Sequence, residues 1–204
     1  MGKDIPKAPG QFYVKDLIPY DALGAKVIDR DGWTLRVGGL VDKPLSLTYG
    51  DLKARKQLEY THDFDCVTKW SVKDIKWGGP SLSNIIMEAR PKKEAGWVML
   101  KCQDGYSAPV KLEDAMSPDS IIALEINDRP LTHAQGAPAR PFIPKLYGWK
   151  SAKWLTEMEL IAEYKDGYWE KYGYHERGQT AEQERFQSYE WKNVKKHILR
   201  MVKL

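Results

Sequence analysis

The run Trp33-Thr34-Leu35-Arg36-Val37-Gly38-Gly39-Leu40-Val41-Asp42-Lys43-Pro44 sets the fold class. Trp33, Leu35 and Val37 alternate with Thr34 and Arg36, the period-two pattern of a strand with one buried face, and Gly38-Gly39 ends it or marks a bulge. Moving toward the C-terminus, Thr48 to Lys56 suits a short helix and Leu58 to Asp65 reads as an extended run leading into Cys66. Ser81 is placed to cap a helix in which Leu82, Ile85, Ile86 and Ala89 recur at helical spacing until Pro91 stops it. Trp97 to Cys102, Ser120 to Ile126, Arg140 to Ile143 and Trp154 to Tyr164 read as strands, and Asn127-Asp128-Arg129-Pro130 is turn chemistry. On the N-terminal side, the first thirty residues are turn-rich and are expected to wrap the surface. Short strands with few, short helices between them predict an α+β fold built on a mixed sheet.

Composition narrows the rest. With 204 residues, 42% hydrophobic and 29% charged, the chain has enough apolar content for one domain of generous size. No run approaches the length of a membrane span. The net charge of +4 does not by itself imply nucleic acid. Met1 to Gly10 has no apolar core of a secretory signal, so the expectation is a cytoplasmic protein whose two cysteines, Cys66 and Cys102, are thiols. We expect the main domain at 1–178 and, at 179–204, a basic C-terminal helix packed on it. Phe186, Tyr189, Val194, Ile198 and Met201 trace the apolar stripe of that helix.

Several chemistries are poorly supported. The four histidines are scattered and there is no Cys-x-x-Cys, which argues against zinc. Gly78-Gly79-Pro80 precedes a helix without the Lys-Ser/Thr of a phosphate loop, and no Gly-x-Ser-x-Gly elbow occurs. Two segments stand out. In Asp65-Cys66-Val67-Thr68-Lys69-Trp70-Ser71, the cysteine is either a small buried hydrophobe or, with Lys69 nearby, an activated thiol able to act as nucleophile or soft-metal ligand. In His133 to Trp154, rigid Pro-Gly backbone carries Arg140, Lys150, Ser151 and Lys153, which suits either an anchored phosphate or a solvated surface loop.

Taken together these segments resemble the sulfite oxidase superfamily of molybdopterin enzymes, and in particular its small haem-free members. The blocks that carry the resemblance run in the family's order: Phe12-Tyr13-Val14-Lys15 with Pro19; the Trp33 to Pro44 run; Cys66-Val67-Thr68-Lys69-Trp70-Ser71 with Trp77. They continue with Gly136-x-Pro-x-Arg140, Pro144, Lys150-Ser151-x-Lys153-Trp154 and Gly167 to His175. The likeness spans roughly residues 10 to 190.

The resemblance implies a mixed-sheet molybdopterin-binding fold holding a molybdenum-molybdopterin cofactor, with tungsten as the alternative metal. It puts Cys66 where the family's thiolate binds the metal beside the two dithiolene sulfurs of the pterin. Arg140, Ser151, Ala152 and Lys153 stand where the family holds the pterin and its phosphate, and Gln135, Tyr13, Val14 and Cys102 or Asp104 at other cofactor contacts. Lys69, Lys15 and Tyr147 are candidates for the substrate pocket, Tyr147 equally as an aromatic packing the rim of the sheet. Lys15 replaces an arginine of the sulfite-oxidising members and lacks the bidentate fork. The activity implied is two-electron oxo transfer, either oxidation of a sulfite-like anion or reduction of an S- or N-oxide. Electrons would pass to or from a separate redox protein or a quinone. A cofactor-free binding module of the same fold is the alternative, and nucleic acid is not expected as a partner.

Overall fold

The computed structural model describes residues 7–187. Within these residues, two five-stranded sheets and a two-stranded ribbon are joined by three short α-helices: an α+β fold of mixed sheets. The first sheet holds β1 (Phe12–Val14), β4 (Gln57–Asp65), β5 (Trp70–Pro80), β9 (Glu125–Ile126) and β10 (Arg129–Pro130). The second runs in the order β3 (Leu45–Thr48), β2 (Thr34–Gly39), β12 (Leu155–Ile161), β6 (Trp97–Cys102) and β7 (Ser107–Lys111). The ribbon pairs β8 (Ile121–Ala123) with β11 (Arg140–Phe142).

The alternation in the opening run is realised in β2. Leu35 and Val37 are buried while Thr34 and Arg36 face solvent. Strand β2 lies parallel to β12 and antiparallel to β3. Gly39 ends it at φ 79°, and a Cβ there would overlap the carbonyl oxygen of Leu160 on β12, so the close strand approach requires glycine. Helix α1 (Tyr49–Ala54) opens with a reciprocal cap: the Thr48 hydroxyl accepts from the Asp51 N–H at 3.1 Å, and the Asp51 carboxylate accepts from the Thr48 N–H at 2.8 Å. Ser81 caps α2 (Leu82–Glu88) as expected, and Leu82, Ile85 and Ile86 bury its apolar face in the main core. Helix α3 (Leu112–Ala115) is a single turn.

Of the strands that depart from the sequence reading, β5 and β7 do so for identifiable reasons. The eleven-residue β5 is the centre of the first sheet, antiparallel to β4 and parallel to β1. Its alternation is broken where Asp74 takes φ 54° and the β4–β5 register shifts between His62 and Phe64, a bulge that hides the period. Strand β7 contains Pro109, which cannot donate to a ladder, but β7 is the edge of its sheet and tolerates it.

The C-terminal expectation is corrected in its described part. Residues 179–187 form turns and isolated bridges, not the start of a helix. Gln179 bridges to Leu146 and Phe186 to Tyr174, while Thr180 and Arg185 are buried. Phe186 and Arg185 are thus fixed by contacts with loops and turns elsewhere in the chain, which a 3.6-residue period does not encode. The remainder of the expected helix lies outside the described residues. Among the described residues, no helix is long and apolar enough to cross a membrane.

Candidate active site

Strands β4 and β5 are joined by a tight turn over residues 66–69, with Lys69 in the left-handed region at φ 79°. The Lys69 N–H donates to the Cys66 carbonyl at 3.0 Å, and the Cys66 N–H donates to the Trp70 carbonyl at 2.8 Å. Gln11 grips the same turn. Its side-chain amide donates to the carbonyls of Cys66 (2.9 Å) and Trp70 (3.1 Å) and to the Ser71 hydroxyl (3.1 Å). Ser71 in turn donates to the buried carboxylate of Asp65 at 2.5 Å. The backbone around Cys66 is therefore pinned, while its Sγ, half-buried, lies 3.1 Å from the Thr68 hydroxyl. Burial pushes the Cys66 thiol up from its ordinary value, and the Thr68 hydrogen bonds and the Arg185 charge pull the other way.

Cys66 packs against an aromatic cluster of Tyr147, Trp149, Trp169 and Tyr174, with Tyr106 and Val67 beside it. Tyr147 stacks on Trp149 at 5.5 Å between ring centroids, and the Tyr106 hydroxyl donates to the Trp149 carbonyl at 2.7 Å. The Tyr147 hydroxyl is buried and has no hydrogen-bond partner among the described residues. Burial pushes this phenol up to about 12 against the opposing charge of Arg185, so it remains a neutral donor at physiological pH.

A second wall is built around Arg140, which is buried and lies 5.5 Å over the Phe64 ring, two residues before Cys66. Its guanidinium donates to the Ser151 hydroxyl (2.9 Å), the Ser151 carbonyl (2.6 Å) and the Gln135 carbonyl (2.9 Å). Among the described residues it pairs with no carboxylate. Burial lowers it to about 10, with Cys102 and Tyr106 opposing the shift. Lys153 pairs with Asp21 and sits 4.5 Å over the Trp154 ring, and burial lowers it to about 8. Gly136 packs directly on Lys153, and the Trp154 N–H donates to the Gly136 carbonyl at 3.1 Å. Gln135, Arg140, Ser151, Ala152 and Lys153 are thereby brought together, with Cys102 close enough to feel the Arg140 charge and Asp104 on the adjoining turn.

Other expected residues sit differently. Tyr13 donates its hydroxyl to Asp63 at 2.6 Å, and Val14 packs on the core of the first sheet. The Gln135 side-chain oxygen is used within its own turn, accepting from the Thr132 N–H at 2.9 Å. Lys15 and Lys69 are exposed, and Lys69 acts on the turn through its backbone. Lys150 is not free to hold a phosphate: it is buried in an ion pair with Glu170 at 2.7 Å and also donates to the carbonyls of Pro109 and Glu176. Gln11, Tyr106, Trp149 and Arg185 were not legible as site residues. Gln11 directly precedes a matched block, which was a usable signal; Arg185 lay inside the expected helix.

The donor set discriminates between a bare metal ion and a cofactor. No three His, Cys, Asp or Glu side chains among the described residues form a group able to hold a metal. Cys66 offers a single soft donor, so a metal there has to bring other ligands with it, as a dithiolene cofactor does. The buried guanidinium of Arg140 lacks a carboxylate, which suits an anionic group such as a phosphate. The residues present fit a molybdopterin.

Comparison with known proteins agrees. The family described as "oxidoreductase molybdopterin binding domain" matches residues 22–169. The chain is 40% identical over 158 residues to the uncharacterized oxidoreductase YuiH of Bacillus subtilis (strain 168), covering 78% of this chain and 80% of that protein. It is 28% identical over 171 residues to the protein-methionine-sulfoxide reductase catalytic subunit MsrP of Campylobacter jejuni, covering 76% of this chain but only 57% of that one. Among solved structures, the sulfane dehydrogenase SoxCD from Paracoccus pantotrophus shares the fold at a TM-score of 0.64 and 22% identity, over 74% of this chain and 42% of that chain.

Proposed function

The chain belongs to the oxidoreductase molybdopterin binding domain family, and from that premise we propose that it reduces S-oxides at a molybdopterin held by Cys66. The carrying observation is the buried, unpartnered Tyr147 hydroxyl in an aromatic cluster beside the half-buried thiol. When bound, the cofactor supplies two-electron oxygen-atom transfer. Cys66 would provide the one protein ligand to its metal, and Arg140 and Lys153 would hold its phosphate, Lys153 with a counter-ion in Asp21 to release. Tyr147 would donate its hydrogen bond to the oxygen that leaves sulfur, a donation open to it because its phenol stays protonated. The overall reaction takes one sulfoxide, two electrons and two protons to one thioether and one water, with electrons from a separate donor.

Aromatic faces favour a neutral, polarisable sulfur substrate. A sulfite dianion instead wants several forked cations aimed at one point. Near Cys66 the buried cation is Arg185, and its donor groups are turned to Val67, Pro9 and Gln11. The name of the Campylobacter relative also supports sulfoxide reduction.

The test is expression in a host that makes the cofactor, with molybdenum and tungsten analysis of wild type and Cys66→Ser. Turnover of methionine sulfoxide with a reduced dye, and of sulfite with an oxidised one, then follows. Near-stoichiometric metal with sulfoxide turnover is expected. Sulfite turnover alone would overturn the direction. Metal-free protein from a cofactor-replete host would overturn the enzyme reading and leave a binding module.

A further inference from the structure

Arg185 reaches the cysteine turn from the opposite end of the chain. Its side chain is 5% exposed and makes four contacts that meet at one place. One N–H donates to the Val67 carbonyl at 2.7 Å, inside the turn that carries Cys66. Others donate to the Pro9 carbonyl at 3.1 Å and the Gln11 side-chain oxygen at 2.8 Å. The guanidinium carbon lies 4.6 Å over the centroid of the Tyr147 ring. No carboxylate pairs with it among the described residues. A guanidinium buried without a counter-ion is costly unless each contact is well made, so its placement is an organised feature.

The contact to Gln11 continues into the turn. The oxygen end of that side chain takes the arginine, which fixes which end of the amide faces inward. The nitrogen end then donates to Cys66, Trp70 and Ser71. Arg185 therefore grips the cysteine turn directly through Val67 and indirectly through Gln11, while its flat face sets the plane of Tyr147. A surface arginine anchoring a chain end would need only one of these contacts.

We propose that Arg185 is a positioning residue, which locks the Cys66 turn and the Tyr147 ring into a single rigid wall and makes residues 179–187 the strap that closes that wall. The proposal rests on the reading of Cys66 as metal ligand and Tyr147 as donor for its catalytic meaning, but the mechanical lock stands independently of it. A fixed thiolate direction and a fixed hydroxyl are what a preorganised site needs, since loose supporting contacts lose geometry before they lose fold.

The test uses the full chain, prepared both with and without cofactor, as wild type, Arg185→Ala, Arg185→Lys, Gln11→Ala and the Arg185→Ala/Gln11→Ala double variant. In cofactor-free protein, iodoacetamide labelling of Cys66 is followed by mass spectrometry at a temperature well below each Tm. Because the lost charge also disfavours the thiolate that reacts, rates are compared per thiolate from their pH profiles, and on that scale Arg185→Ala is expected to speed labelling about tenfold, the loss of roughly one net charge-assisted hydrogen bond. Arg185→Lys, which keeps the charge but not the fork, falls between. Gln11→Ala, which leaves Arg185 its contacts to Val67 and Pro9, also accelerates labelling, and the double variant is expected to be no faster than the faster single one. Added ethylguanidinium should slow labelling of Arg185→Ala. In loaded protein, the metal–thiolate absorption should broaden or shift in Arg185→Ala. A lowered Tm with labelling and absorption unchanged would overturn the proposal and leave Arg185 as an anchor of the chain end. Labelling that couples as expected in a wild type that never binds metal would keep the lock and refute the metal reading alone.

Discussion

Replacing Tyr147 by Phe is expected to make the cofactor-free protein more stable and the enzyme slower. The ring is fully buried, stacks on Trp149 at 5.5 Å, and carries the Arg185 guanidinium at 4.6 Å. Phe preserves the ring, the stack and most of the cation contact. The only atom removed is a hydroxyl oxygen that has no partner among the described residues. An unsatisfied buried hydroxyl costs about 1–3 kcal/mol, so Tyr147→Phe should gain about 1 kcal/mol once slight rearrangement is allowed for. For a domain of this size that is a rise in Tm of about 2–4 °C. In the loaded enzyme the same change removes the donor proposed for the departing oxygen, and on that proposal kcat falls about a hundredfold with KM nearly unchanged. The pH dependence has a definite sign. Burial raises the folded phenol to about 12 from an ordinary 10.0, so the folded state holds its proton more tightly. Its contribution is therefore complete below pH 10 and is lost as pH rises through 12, and the Phe variant should show a shallower alkaline loss of stability. Urea unfolding of the cofactor-free chain at pH 7.5 and at pH 10.5, with steady-state kinetics of the loaded chain, measures all of this. A Phe variant that is less stable by 1 kcal/mol or more would show that the hydroxyl is already satisfied, and the argument for a vacant donor would fail.

Further outcomes can be measured on the same preparation. Lys150→Met strands the buried Glu170 carboxylate, which keeps only the neutral Trp149 N–H at that oxygen, and should cost about 3–5 kcal/mol in urea unfolding. Burial opposes ionisation of Asp114, but Arg177 and Lys145 outweigh it and hold the carboxyl below its usual range. That stability is present above the unfolded pKa and lost as pH falls through the folded one, so Asp114→Asn should flatten the acid limb of the stability profile and cost about 2 kcal/mol at pH 7. Gly39→Ala places a methyl group on the Leu160 carbonyl at φ 79° and should cost about 3 kcal/mol or more, read as a fall in Tm of cofactor-free protein.

What could be read from the sequence follows the range of the interaction that fixes each element. Strand β6 was expected at Trp97 to Cys102 and has those bounds, because its alternation and both its ends are local. The caps at Thr48 and Ser81 likewise act within three residues. Strand β5 escaped because a bulge at Asp74 breaks its period, and β7 because an edge position excuses Pro109. Cys66, Arg140, Ser151 and Lys153 stood in motif-like blocks, whereas whether a cation is free or spoken for depends on tertiary neighbours. Lys150 and Lys153 differ by three positions in one block, yet one is buried against Glu170 and the other is half-buried beside Asp21. No spacing rule separates them.

The clasp on Cys66 uses the two ends of the described chain for a physical reason of the same kind. Gln11 and Arg185 are 174 positions apart, and each also meets the turn at 66–69. Closure entropy grows only logarithmically, so moving a partner from about 20 to about 170 residues away adds roughly 2 kcal/mol, which a few charge-assisted hydrogen bonds offset. Recruiting distant ends therefore costs little once the sheets have folded and fixed the ends' neighbours. It has a consequence that local capping of the turn would lack. The geometry of the thiol becomes conditional on both ends being in place, so loosening either end should loosen Cys66 before it unfolds either sheet.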